Sequence, residues 1–282
     1  MHRFRLHGLL ALVVPAILAS SVDAQEMRVY TVVRNLTAQS PNESAERAPV
    51  VARSLTLFHA GKVYDYVDAA KEVTIFEPAH HRFSILNEGR HTVTEVTQDE
   101  IHQYLTRVEQ EAWKRLEAGT DQPGTSQVRS LSWLKFQLKP DFEVVFDAAK
   151  SKLQMSEQAC RYGASGQVPP SPTVVESYLR FADATAELNS VLHPQAPLPK
   201  PRLRLNDELR QRGLLPVTVD LQANLDRPLH LQARHEWTWK FQSTDRQLIS
   251  GWEAQLNDAA QRRVTFRSYQ QETLTAEAGR SR

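Results

Sequence analysis

Ser54 to Val96 reads SLTLFHAGKVYDYVDAAKEVTIFEPAHHRFSILNEGRHTVTEV, and the spacing of its apolar runs decides the fold. Runs at Leu55–His59, Val63–Val67, Val73–Phe76, Phe83–Leu86 and Thr92–Val96 are rich in Val, Ile, Tyr, Phe and Thr, residues that suit a pleated, half-buried surface. Ala60-Gly61, Asp68-Ala69-Ala70, Glu77-Pro78 and Asn87-Glu88-Gly89 separate them with turn chemistry. Gaps this short allow only antiparallel pairing, because a parallel crossover needs a dozen residues or more. The stretch is a β-meander.

On its N-terminal side, Met27 to Thr37 alternates Met27, Val29, Thr31 and Val33 with Arg28, Tyr30, Val32 and Arg34, which predicts a strand. Gln39 to Pro49 is polar and reads as a surface loop. Farther out, Met1 to Ala24 has a basic start (Arg3, Arg5), an apolar run from Leu9 to Ala19 and a small-residue exit at Val22-Asp23-Ala24. That is the layout of a secretory signal peptide, and the run is too short to span a bilayer. The expected mature protein begins at Gln25, has no transmembrane segment, and is exported to a periplasmic or extracellular location.

Removing 24 of 282 residues leaves 258, enough to bury a substantial core. The basic count falls from 34 by Arg3 and Arg5, and the acidic count from 33 by Asp23, leaving 32 of each. A balanced chain has no field that would gather nucleic acid or an anionic membrane. Cys160 is the single cysteine, so no internal disulfide is available and packing must carry stability. The expectation for Cys160 itself is a buried, unreactive thiol.

After the meander, Thr97-Gln98-Asp99-Glu100 is a capping box, and Ile101, Tyr104, Leu105, Val108, Ala112 and Leu116 form the apolar stripe of a helix ending near Gly119. Residues Ala118 to Gln127 read as a connection. Strand patterns follow at Leu134, Phe136 and Leu138, then at Phe142, Val144 and Phe146, then at Leu153 and Met155. The tetrapeptide Asp-Ala-Ala-Lys occurs at both Asp68–Lys71 and Asp147–Lys150, either as a repeated hairpin or by coincidence. Ser171-Pro172 starts a second helix carrying Val175, Tyr178, Ala182, Leu188 and Leu192, which His193-Pro194 ends. A proline-rich connector to Pro201, a short helix over Asn206–Arg212 and a stop at Gly213 lead to LLPVTVDLQA.

The strongest alternation lies at Leu229–Phe241. Leu231, His235, Trp237, Trp239 and Phe241 fall on one face, with Glu236, Thr238 and Lys240 on the other. This aromatic face is either filled core or, if helices cover a curved sheet incompletely, the lining of an apolar cavity. Those five residues are the candidate ligand-binding set. Gln247–Leu256 fits a strand or a helix, and the tail from Thr273 to Arg282 lacks apolar pattern and is expected to be disordered.

No G-x-S-x-G, G-x-x-x-x-G-K, G-x-G-x-x-G, H-E-x-x-H or paired C-x-x-C motif occurs, so no catalytic residue or cofactor is indicated. His59, His80, His81 and His91 lie near meander turns with Asp65 and Glu77 nearby. Alternate turns lie at opposite sheet ends, so these read as solvated turn histidines rather than metal ligands.

The order of elements, together with Gly61-Lys62-Val63-Tyr64-Asp65-Tyr66, Val73-Thr74-Ile75-Phe76 and Gly213-Leu214-Leu215-Pro216-Val217, resembles the LolA/LolB-type periplasmic half-barrel proteins. The resemblance implies a curved antiparallel sheet with helices on its concave side and a cavity for lipoprotein acyl chains. The resulting expectation is an α+β protein in three parts: a signal peptide over residues 1–24, one domain over 25–272 built from β-meanders with two main amphipathic helices on one face, and the tail. Its function would be to bind an apolar ligand, a lipid or lipoprotein acyl chain. The alternatives are an envelope interaction module with a filled core, binding another envelope protein, and an exported hydrolase without a recognisable motif.

Overall fold

The computed structural model describes residues 26–38, 44–118, 125–193, 196–225 and 227–280. The expected signal peptide and the junction before Gln25 lie outside the described residues, as does Gly119. The chain forms β1 (Met27–Asn35), β2 (Val50–His59), β3 (Lys62–Val67), β4 (Glu72–Glu77), β5 (Arg82–Asn87), β6 (Thr92–Thr97), α1 (Gln98–Ala118) and α2 (Thr125–Leu138). It continues through β7 (Glu143–Asp147), β8 (Lys152–Ser156), β9 (Cys160–Gln167), α3 (Pro172–Leu192), α4 (Lys200–Gln211), β10 (Leu215–Ala223), β11 (Leu229–Thr238), α5 (Ser243–Asn257), β12 (Arg262–Arg263) and α6 (Phe266–Arg280).

All twelve strands join one open sheet in the order β12-β6-β5-β4-β3-β2-β1-β11-β10-β9-β8-β7. Every pairing is antiparallel except the two-residue β12–β6 contact. The meander β2–β6 and the antiparallel set β7–β11, whose β9 and β10 are joined through α3 and α4, are therefore bridged by β1. One apolar cluster contains Phe83 and Ile85 of β5, Leu153 and Met155 of β8, and Leu179, Phe181, Leu205 and Leu209 of α3 and α4. A flat sheet would separate β5 and β8 by roughly 38 Å at ~4.8 Å per strand, whereas two packed helices span about 20 Å. The sheet is curved, and α3 and α4 occupy its concave side.

The meander's hairpins share one construction. Val67 pairs with Glu72, Glu77 with Arg82, Asn87 with Thr92 and Asp147 with Lys152, and each four-residue loop ends in a left-handed residue. Those residues are Lys71, His81, His91 and Ser151, with φ of 48 to 51°. The two Asp-Ala-Ala-Lys segments both close such loops, but one residue out of register: Lys71 is left-handed in the first, whereas Ser151 takes that place in the second.

The meander is covered on both faces. Ile101 and Leu105 of α1 pack with the concave cluster, while Leu57, Tyr64, Val73, Ile75, Leu86 and Val93 face Ile249 and Trp252 of α5 on the convex side. That explains its near-continuous apolar runs, since a strand buried on both faces loses its alternation. The capping box at α1 forms as expected: Thr97 N donates to Glu100 Oε2 at 2.8 Å and Glu100 N to Thr97 Oγ1 at 3.2 Å. Ser171 caps α3 ahead of Pro172.

Three expectations change, and one left open between strand and helix is decided. Leu134, Phe136 and Leu138 lie in helix α2, not a strand; Trp133, Phe136 and Gln137 recur at i, i+3 and i+4, a helical face that a short alternating run conceals. The segment Gln247–Leu256 is helical within α5. Strand β11 stops at Thr238, three residues short of Phe241, where the chain bends toward the Gln242 cap of α5. The tail from Thr273 continues α6 to Arg280, because Tyr269, fully buried, donates its hydroxyl to Glu72 and Arg90 lies 4.6 Å over its ring and reaches Thr273 Oγ1.

Candidate functional site

The strand registers place Thr31, Ser54, Val67 and Glu72 in one row across the concave face, and Thr56, Asp65, Thr74 and Ile85 in the next. Val33 pairs with Ala233, which pairs with Val219, and Leu231 pairs with Leu221. The row closest to the aromatic side chains of α3 is closed: Met27, Phe58, Val63, Phe76 and Phe83 are buried, and Phe181 meets Phe58 at 5.8 Å and Phe76 at 6.5 Å. Toward the other strand ends the same face is only half-buried at Thr31, Val33, Ser54, Asp65, Val67, Thr74, Leu221, Leu231 and Ala233. This incompletely covered strip, the trough, carries apolar side chains on β1, β10 and β11 and hydroxyls with one carboxylate on β2 to β4.

The five residues singled out from alternation divide among three environments. Leu231 lies on the half-covered wall of the trough. His235, Trp237 and Trp239 stand at its closed end, where Tyr178 of α3 meets Trp237 edge-on at 4.7 Å and His235 at 6.3 Å, and Trp239 stacks on Trp237 at 5.9 Å. Trp237 Nε1 donates to Pro216 O at 2.8 Å, which fixes the half-buried indole against the core cluster. Phe241 is on the opposite face, in the α5 cluster, 5.7 Å from the His59 ring. The expected shared face fails at Phe241 because strand parity ends with β11.

His235 is 7% exposed. Its Nδ1 shares a hydrogen bond with Thr31 Oγ1 at 2.9 Å, and its Nε2 finds no partner among the described residues. Burial, with the charge of Arg202 adding to it, pulls the imidazole down to about 3, so His235 is neutral at physiological pH. Asp65 accepts from Thr56 Oγ1 at 2.7 Å. Burial pushes its carboxyl up to about 6, against the hydroxyls of Thr56 and Ser54 and with the Glu72 charge adding to it. Arg202, on α4, is half-buried and donates through Nε to Asn206 Oδ1 at 3.0 Å.

Asp65, Arg202 and Tyr178 were not singled out as site residues from sequence. For Asp65 a signal existed: an acidic residue between Tyr64 and Tyr66 in a strand of a buried meander. Arg202 carries no local signal, because only the seating of α4 over β9 to β11 brings its charge to the concave face.

A concavity of about 930 Å³ lies between α1 and α2 and is lined by Tyr104, Val108, Ala112, Trp133, Leu134 and Leu198. Its rim carries Arg107, Arg115 and the Lys114–Glu111 ion pair at 2.7 Å. The turn histidines are dispersed: His80 contacts Glu77 at 3.1 Å, His81 contacts Gln98 at 3.1 Å and His59 contacts Glu26 at 3.2 Å. No group of three His, Cys, Asp or Glu side chains comes together as a metal set among the described residues. No helix among them is long and apolar enough to cross a membrane. Comparison with known families and curated proteins finds no family model and no curated protein that matches this chain.

Proposed function

We propose that the protein is an exported, non-catalytic binder of an apolar ligand, a lipid or lipoprotein acyl chain, seated in the trough between the concave sheet and helices α3 and α4. The observation that carries this reading is the uneven cover of one continuous sheet face. Val33, Ala233, Leu231 and Leu221 are apolar neighbours on the concave face of β1, β11 and β10 and stay half-exposed, while Val219 and Tyr162 beside them and the Met27–Phe83 row are buried. Apolar side chains on a helix-covered face normally complete a core, and leaving a contiguous set uncovered forgoes burial worth about 25 cal/mol per Å². A ligand chain would recover it.

Loss of the polar ends of the trough is not required for such binding, and no proton transfer enters it. An acyl-chain fluorophore should be taken up saturably by the mature protein. Ala233→Phe, which fills the apolar wall, should abolish uptake while the far-ultraviolet circular dichroism is retained. Uptake unaffected by Ala233→Phe would refute the trough as the site. Absence of uptake by the wild-type protein would instead favour the interaction-module alternative.

A further inference from the structure

The concavity between α1 and α2 lies outside the trough and is walled on its third side by the strap Ala196–Leu198. It runs along α1 from Tyr104 to Arg115, about 17 Å at 1.5 Å per residue. Its apolar lining is incompletely covered: Val108, Trp133, Leu134 and Leu198 are half-buried, and Tyr104 is 37% exposed. The walls are pinned in place. Gln137 Oε1 accepts from Leu198 N at 2.7 Å, Ser190 Oγ donates to Pro197 O at 2.8 Å, and Lys200 Nζ meets Glu109 Oε2 at 2.7 Å. On the rim, Arg107, Lys114 and Arg115 stand against Glu111 alone, and Lys114 already takes that carboxylate. Arg107 donates through Nε to Gln103 O of its own helix, and neither Arg107 nor Arg115 meets a carboxylate among the described residues. Eight residues separate the two arginines, which places their backbones about 12 Å apart along the groove.

We propose that this groove docks an acidic amphipathic helix of a partner protein, its apolar stripe on Val108, Trp133, Leu134 and Leu198 and its carboxylates on Arg107 and Arg115. An apolar channel three turns long between two helices suits the i, i+3, i+4 and i+7 side chains of a third. The placing of charge selects the partner. An amphiphile with a single anionic head would answer one guanidinium and lay its apolar chain against the other. Carboxylates seven or eight residues apart on a docked helix come within about 2 Å of the arginine spacing and answer both. A basic helix would meet like charge at both ends of the rim. The inference is independent of the acyl-binding reading, because no residue of the trough lines this groove.

Fluorescence anisotropy at low ionic strength tests it, with a labelled helical peptide of about four turns that carries leucines at i, i+3, i+4 and i+7 and flanking glutamates eight residues apart. Saturable binding is expected. It should weaken about tenfold or more when the same residues are scrambled to break the stripe, and likewise when lysines replace the glutamates. Arg107→Gln and Arg115→Gln, both at exposed positions, should each cost about two- to fivefold, the range of an exposed ion pair, and about tenfold together. Ala233→Phe, which fills the trough, should leave peptide affinity unchanged, and the two arginine variants should leave acyl-chain uptake unchanged, so the two readings fail separately. Absence of peptide binding, equal binding of the scrambled peptide, or indifference to both arginine variants would overturn the proposal. Laurate bound below its micellar concentration in an Arg115-dependent way, with no peptide bound, would overturn it in favour of a small anionic amphiphile.

Discussion

At the scale of single residues, Asp65 and His235 pull the pH dependence of stability in opposite directions. Asp65 has a raised folded pKa, about 6 against 3.8, so its contribution is fully present below 3.8 and is lost as pH rises through 6. The shift of about 2 units corresponds to on the order of 3 kcal/mol. Asp65→Asn should therefore raise the unfolding free energy at pH 7.5 by about 1–3 kcal/mol and change it little at pH 3.5, as urea titrations at the two pH values would show. His235 has a depressed folded pKa, about 3 against 6.5, so its contribution is present above 6.5 and lost as pH falls toward 3. His235→Phe should flatten that acid loss, provided Thr31 is changed to Val with it so that no hydroxyl is orphaned. Cys160 is 3% exposed, and burial pushes its thiol up to about 12. Native protein should resist a thiol reagent for as long as it stays folded, and rapid labelling would contradict that burial. These residues also mark the limit of what a sequence discloses about the site. Trp237 and Trp239 were visible from alternation, but whether they line a cavity or close one depends on where Tyr178 of α3 seats.

At the scale of elements, the hairpins are legible because strand length, loop length and turn chemistry repeat within a window of ten residues. Gly61 is the one glycine at a positive-φ turn of the meander (φ 76°); the later loops place Lys71, His81 and His91 in the same backbone region. A non-glycine residue there costs roughly 1 kcal/mol or more. Lys71→Gly and His91→Gly should consequently be neutral or stabilising by up to ~1 kcal/mol, where glycine at an ordinary strand position would destabilise. Chemical denaturation of the two variants checks this, and a clear loss of stability would show that side-chain contacts outweigh the backbone strain. Helix α5 makes the converse case. Its sequence fits two periods, and what fixes it is tertiary: Asp245, 1% exposed, accepts from Gln242 N at 2.7 Å and faces Arg28 Nε at 3.3 Å, while Glu253 accepts from both Lys62 and Tyr64. Asp245→Ala removes the cap and leaves Arg28 unpaired, for an expected loss of about 2–3 kcal/mol. Helix α2 departs from its strand-like pattern for a related reason. A few apolar residues two apart satisfy a strand, and only the 5.2 Å edge contact of Phe136 with Phe142 shows which face was meant.

At the scale of the whole molecule, β2–β6 is built from neighbours in sequence, β7–β11 closes across the α3–α4 excursion between β9 and β10, and β1 is what makes them one sheet. Its eight-residue register with β11 spans Arg28↔Thr238 to Asn35↔Leu231, about two hundred residues apart along the chain, whereas β2 to β6 pair across loops of two to four residues. Because loop closure precedes the reward of long-range contacts, the order of assembly follows from this layout. The β2–β6 meander can gain protection on its own, and β1 can join it through β2 while its other edge still waits for a partner made late in synthesis. In pulsed hydrogen exchange, amides of β3 to β5 should be protected before those of β10 and β11, with the β1–β11 amides last. Until that final seam closes, β1 offers an open strand edge, the feature most apt to pair with a second chain. A yield of refolded protein that falls steeply with concentration, and recovers when a peptide spanning Leu229–Thr238 is supplied in excess, would locate the vulnerable step at that one seam.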